Sequence, residues 1–331
     1  MPTSEAATIT AEPFGAIPEE HRVSLDLKAY SERGDTTIRR IFQSLAFVSV
    51  LIMALIMAFL FYEGIGIFWH TDPDQLTVGL KDFLLGVGWY PTHEDAPEFG
   101  VLPLIVGSLS VTLFASLLAV PLGVGAALYL TSVARARVRE WVKPAIELLA
   151  GLPSVVLGFV GMVVIAPGLQ ELLDLPTGLN IFSASLMLAL MAIPTITSIS
   201  EDALYNVPGE LIEASYGLGA TAWETLWHVK IQWALSGIGT AVILGMSRAM
   251  GETMVVLMVA GGAAQIPSSL FDSVRTLPAT IAAEMGEAPV GSPHYHSLFA
   301  IGIVLFLITL AFNLVAAYIS RRFQMKGSAT L

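Results

Sequence analysis

Six long apolar stretches fix what this 331-residue chain can fold into. They run at about 41–61, 102–130, 144–167, 181–200, 236–261 and 296–319. Each has the roughly 20 residues that an α-helix needs to cross a hydrocarbon layer. Within that layer water cannot satisfy the backbone, so a spanning segment must pair its own N–H and C=O groups, as a helix does. Composition agrees: 55% of residues are hydrophobic, 13% are charged and the mean hydropathy is +0.73, all far from soluble values. The sequence predicts an all-α membrane protein with about six transmembrane helices.

Local punctuation divides the chain further. Pro121 interrupts the second stretch, and Gly151 with Pro153 marks a helix break or a close packing point in the third. Residues 1–40 are polar and mixed in charge, with Pro13 and Pro18, and are expected to form a loosely ordered tail. A cleavable signal peptide would open on a short basic region, which this tail lacks, so the first span is expected to be a retained anchor. The expected layout is a tail at 1–40, a first helix and acidic loop at 41–101, and a core of five helices at 102–325.

Several functions are excluded by what is missing. There is no cysteine, which removes disulfides, thiolate metal sites and thiol nucleophiles. No Gly-Lys dipeptide occurs, so there is no Walker A loop, and any ATP that drives this chain is hydrolysed elsewhere. The six histidines show no ligand spacing, and a net charge of −11 argues against nucleic acid.

Lys and Arg near the span ends set the expected orientation. Arg39 and Arg40 precede the first span; Arg135, Arg137, Arg139 and Lys143 fill the connection after the second; Arg321, Arg322 and Lys326 follow the sixth. With six spans these places share one side, which puts both termini in the cytoplasm. The 62–101 connection carries Glu63, Asp72, Asp74, Asp82, Glu94, Asp95 and Glu98 against Lys81 and belongs outside. The aromatic residues Trp69, Trp89, Tyr90, Trp141, Trp223, Trp227 and Trp233 cluster near the expected membrane surfaces, as interfacial anchors do.

The polar connection at about 206–233 lies on the cytoplasmic side and has helix-forming character. Pro208 suits the first position of a helix and Gly219 its end, where φ > 0 is often needed. Thr221 and Glu224 have capping-box spacing and are expected to start a second short helix. The small residues of Glu213-Ala214-Ser215-Tyr216-Gly217-Leu218-Gly219-Ala220 sit where another protein can press closely. An ordinary amphipathic helix at the membrane surface accounts for the same pattern equally well.

The fifth stretch holds Arg248 and Glu252. A charge at membrane depth costs about 3 kcal/mol or more. Four apart, the two are expected to share a helix face and partly neutralise each other. They read either as a structural pair between helices or as the lining of a path for a charged solute. A guanidinium, with its fork of donors, suits a tetrahedral oxyanion. Lesser candidates are Glu147, which reads mainly as a capping or snorkelling residue, and the stripe of Thr195, Thr197, Ser198 and Ser200 beside Pro194, where hydroxyls commonly satisfy backbone freed by a proline.

These motifs resemble a known family. Glu213-Ala214-Ser215, followed at the matching spacing by Gly219, is similar to the EAA loop of ABC importer permeases, although Val229, Ile231 and Gln232 stand where that motif closes on Ile, Leu and Pro. From about residue 100 onward the chain resembles the PstC-type permease subunits of phosphate-specific ABC importers. The stretches that carry this are 147–156, 198–204, 248–258 and 269–296, with Met254-Val255 after Gly251-Glu252-Thr253 rather than the Ala-Pro usual in the sister permease. The resemblance implies the type I importer permease (MetI-like) fold in a bacterial inner membrane and alternating access. It implies as partners phosphate, membrane lipid, a PstA-type second permease, two copies of a PstB-type ATPase and a PstS-type external phosphate-binding protein. It places ATP and Mg on the ATPase and no cofactor on this chain. Arg248 and Glu252 would line the path, while Glu213, Ala214, Ser215, Gly219 and Ala220 would dock the ATPase. Other readings are the sister permease, a permease for sulfate, molybdate or phosphonate, an ATP-independent carrier and, weakest, an intramembrane enzyme.

Overall fold

The structure, a computed structural model, describes residues 27–69, 78–93 and 96–328, with side chains described between 38 and 318. The tail at 1–26 and the acidic residues Asp72, Asp74, Glu94 and Asp95 lie outside the described residues. Helix α1 (Leu27–Ile65) begins well before the first apolar stretch, so part of the segment expected to be loosely ordered is helical. Six described helical segments are long and apolar enough to cross a membrane: Ile38–Phe68, Leu102–Ser132, Ser154–Leu173, Ile181–Tyr205, Ala222–Met250 and Pro293–Tyr318. Contacts divide the chain into two units, Met1–Met57 and Ala58–Leu331. The description below concerns the second.

After α1 come α2 (Leu80–Leu85) and a two-stranded antiparallel hairpin, β1 (Trp89–Tyr90) with β2 (Glu98–Phe99), in register Trp89 to Phe99. Helix α3 (Leu102–Ser132) is the second span and runs through Pro121. The third apolar stretch does not form one span. Residues 136–150 form α4 (Ala136–Ala150), an amphipathic helix with no buried residue. Pro153 then starts a new helix: α5 (Ser154–Val160), a π turn at 161–165 and α6 (Ala166–Leu173). The expected span at 144–167 is therefore displaced, because the charged residues of α4 cannot enter hydrocarbon cheaply and Pro153 ends the ladder that would have joined them to it.

Helix α7 (Ile181–Tyr205) is the most buried span and packs along α3. Close approach is built from small residues: a β-carbon at Gly245 would sit 2.4 Å from Ile196 Cγ1, and one at Gly123 would sit 2.8 Å from Ile196 Cγ2. Hydroxyls tie the helices as well. Ser185 Oγ donates to the Val111 carbonyl at 3.2 Å and Thr197 Oγ1 donates to the Gly123 carbonyl at 3.1 Å. Thr197 thus bonds across to α3 rather than to backbone freed by Pro194.

The remaining elements are α8 (Gly209–Gly217), α9 (Ala222–Thr225), a π turn at 226–230, α10 (Ile231–Met250), α11 (Met254–Val259), α12 (Leu277–Glu284) and α13 (Pro293–Ser328). A distinct cluster forms where α2, the hairpin, α12 and the start of α13 meet, around Phe83, Trp89, Phe99, Leu277 and Leu298. Glu284 fastens it. Trp89 Nε1 donates to this carboxylate at 3.1–3.2 Å, Arg275 Nη1 lies 2.5 Å away and His294 Nε2 lies 2.9 Å away.

Candidate functional site

The fifth span ends earlier than its hydropathy suggests. The Gly251 N–H bonds the Ser247 carbonyl at 3.3 Å, and the chain leaves the helix across residues 251–253 before α11 begins. Arg248 therefore stands in the last turn of α10, while Glu252 stands in the break. The expected i,i+4 pairing fails because that spacing brings two side chains together only on an unbroken helix. No ion pair within 4 Å joins them. Instead Arg248 Nη1 donates to Thr195 Oγ1 of α7 at 3.4 Å, a long bond. Both side chains line one small void between α7 and α10, with Leu188, Met191, Ala192 and Ala249.

Arg248 is exposed on this chain, and Thr195 and Ser198 are half-buried. A permanently charged guanidinium on a spanning helix is expensive against lipid, so its open face belongs against water, an anion or another protein surface. A second polar group, which the sequence reading missed, lies nearby on α13: Ser247 Oγ donates to Asn313 Oδ1 at 2.6 Å. The signal was available, since an asparagine inside the sixth apolar stretch is itself an intramembrane polar residue.

The 206–233 segment is a helix–turn–helix. Gly219 has φ +85°, the left-handed region that glycine adopts without a Cβ clash. The Gly219 N–H bonds the Tyr216 carbonyl at 2.9 Å and the Ala220 N–H bonds the Ser215 carbonyl at 3.2 Å, which is the paired pattern of a Schellman turn. Thr221 Oγ1 accepts from the Glu224 N–H at 3.3 Å, and Glu224 Oε2 accepts from the Thr221 N–H at 2.8 Å, completing the capping box. Ser215 Oγ and Thr225 Oγ1, 2.9 Å apart, join the two arms. Glu213, Ala214 and Gly219 are exposed, Ala220 is half-buried and Leu218 at the tip is 91% exposed. The second arm is not a separate short helix: it continues helically through the π turn and Gln232 into α10. Glu147 is exposed on α4, and its side chain bonds nothing among the described residues.

Glu201, within the 198–204 stretch, is the one buried acidic side chain among the described residues, at 2% exposure. Arg139 Nη2 lies 2.9 Å and Lys143 Nζ 3.3 Å from its two oxygens, so it clasps α4 to the C-terminal end of α7. Arg139 also lies over the Tyr205 ring, 5.4 Å from its centroid.

Six apolar helices long enough to span a bilayer, with an ordered polar helix–turn–helix between two of them, define a multi-pass membrane protein. The chain belongs to the family of binding-protein-dependent transport system inner membrane components, whose model matches residues 119–325. It is 35% identical over 325 residues to the phosphate transport system permease protein PstC of Mesorhizobium japonicum, covering 92% of this chain and 98% of the relative. It is 41% identical over 241 residues to the probable ABC transporter permease protein YqgH of Bacillus subtilis, covering 73% of this chain and 78% of the relative. Among solved structures it is similar in fold to a bacterial ABC transporter involved in the import of the acidic polysaccharide alginate, with a TM-score of 0.58 at 16% identity over 88% of this chain and 99% of that one. The fold is that of type I importer permeases, and the chain is a multi-pass inner membrane protein that serves as a transport subunit.

Proposed function

We propose that this chain is the permease subunit through which an ABC importer passes inorganic phosphate across the inner membrane. The observation that carries the reading is Arg248: a fixed cation in the last turn of an apolar spanning helix, exposed on this chain and without a carboxylate partner among the described residues. Such a group needs either an anion or a second protein wall, and a path at an interface between two permeases supplies both. Names among the relatives favour phosphate as the anion. Glu252 offsets the cation without neutralising it at contact distance, so an anion can leave again.

The chain works with a homologous PstA-type second permease, a pair of PstB-type ATPase subunits that hold ATP and Mg, and a PstS-type external phosphate-binding protein. The 206–233 helix–turn–helix receives the ATPase, with Glu213, Ala214, Ser215, Gly219 and Ala220 at the contact. Both termini face the cytoplasm. Acidic outer residues repel a free anion, which fits delivery by a binding protein better than capture from solution.

The test is uptake of labelled phosphate, with sulfate as control, in cells lacking this chain and in the same cells with it restored. Phosphate uptake returns with the intact chain and is abolished by Arg248→Ala, while the complex still assembles. Near-normal uptake by Arg248→Ala removes the assigned role, and a sulfate defect in place of a phosphate defect removes the substrate.

A further inference from the structure

Thr276 occupies the N-cap position of α12, where a threonine hydroxyl ordinarily accepts from the N–H groups of the first turn. Here it makes no cap bond. Ser108 of α3 does that work from outside: its Oγ accepts from the Leu277 N–H at 2.8 Å and donates to the Leu104 carbonyl at 2.8 Å. The next position is Pro278, which has no N–H to satisfy. Relieved of capping, the Thr276 hydroxyl is buried, with the residue 3% exposed, and has no hydrogen-bond partner among the described residues. An orphaned buried hydroxyl gives up its hydration and gains nothing in return, so such groups are rare unless something else meets them.

What it adjoins is a void of about 10 Å³, whose polar lining is Thr276, Ser108, Thr112 and Glu252. That is near the lower limit of room for a single water, which also needs two to four polar partners. Thr276, Thr112 and Glu252, all lining the void, carry two hydroxyls and a carboxylate that can meet one water, whereas a tetrahedral oxyanion does not fit. The Glu252 side chain, for its part, has no ion pair or hydrogen bond to any described residue.

We infer that this void is a binding site for one internal water, held by Thr276 and Thr112, which anchors the Glu252 carboxylate in the helix break. Thr276 is then a positioning residue. It ties the acidic group of the path to the start of α12, so the carboxylate moves with that outer segment rather than with Arg248, which is bonded to α7. The inference deepens the proposed function, resting on its reading that Glu252 lines the path.

The test uses the assembled importer in liposomes, with Thr276→Val keeping the shape and removing the hydroxyl, and Thr276→Ser keeping the hydroxyl and removing the methyl. The readouts are phosphate uptake and the density between residues 276 and 252 in structures of each complex. The expected result is one ordered water in the parent and in Thr276→Ser, none in Thr276→Val, and uptake lowered about 5–30-fold by valine but largely retained by serine. No water in the parent overturns the inference, as does serine as damaging as valine, which would mean that shape alone matters. Unchanged uptake with valine also overturns it. Glu252→Gln is measured alongside: if it leaves uptake intact, the path reading fails, while the density still decides whether the water exists.

Discussion

A graded series at Gly219 probes the turn between α8 and α9. Its φ of +85° is a conformation that an L residue with a β-carbon adopts only at a cost. A β-carbon built there meets nothing within 4 Å, so packing does not contribute and the penalty is conformational alone. For alanine it is about 1–2 kcal/mol, for a β-branched residue larger, and for asparagine smaller, because its side chain bonds locally in the left-handed region. If the turn is required for docking, about 1–2 kcal/mol lowers the affinity for the ATPase roughly 5–30-fold. The variants Gly219→Asn, Gly219→Ala and Gly219→Val are compared by copurification with the ATPase at several detergent-solubilised concentrations and by thermal unfolding of the complex. The expected order of damage is Asn, Ala, Val. Valine matching asparagine in both assays would falsify the argument, because it would mean that the turn tolerates another conformation.

Other consequences can be checked as directly. Glu201→Ala removes a buried carboxylate but leaves Arg139 and Lys143 partly exposed, where water can meet them, so the expected loss is about 1–3 kcal/mol rather than that of a stranded buried charge; unfolding of the complex in mild denaturant reads it, and a variant as stable as the parent sinks the clasp. Gly245→Leu forces side-chain atoms into Ile196, and the strain of about 1–3 kcal/mol or more should lower the yield of folded protein on fluorescence-detected size exclusion. The Ser268 N–H and hydroxyl and the Ser269 N–H hold the Asp272 carboxyl below its ordinary range. A depressed acid contributes its full effect above its unfolded pKa and loses it as pH falls through the folded one, so protection of the Ser268 and Ser269 amides from hydrogen exchange should fall only below about pH 4. Asp272→Asn should flatten that acid-side loss, and an unchanged profile would assign it to other groups.

What could be read from the sequence was what local chemistry decides. Hydropathy located six membrane crossings because no soluble packing offers such long apolar runs a place. Gly219 and the Thr221–Glu224 box were readable because a helix end is satisfied by its own few residues. The failures occurred where a periodic reading was carried through a break. Glu252 was placed on the face of Arg248 by counting four residues, yet Gly251 ends the ladder between them. The third span was started at Pro144, although Lys143 and Glu147 already marked a surface helix and Pro153 the true entry. Tertiary partners were invisible in principle: nothing in the order of residues says that Glu201 meets Arg139, or that Ser108 takes over the cap Thr276 leaves unused.

The unbroken helical run from Ala222 to Met250 has a mechanical consequence. At about 1.5 Å per residue, its first turn in the 206–233 segment and Arg248 near its far end are separated by roughly 39 Å of one rod. A tilt of about 10° imposed at the loop would carry the guanidinium sideways by roughly 7 Å, twice the length of the bond that holds it to Thr195. Any force applied to the loop would reach the guanidinium along a single helical run, whose one change of winding is the π turn at 226–230.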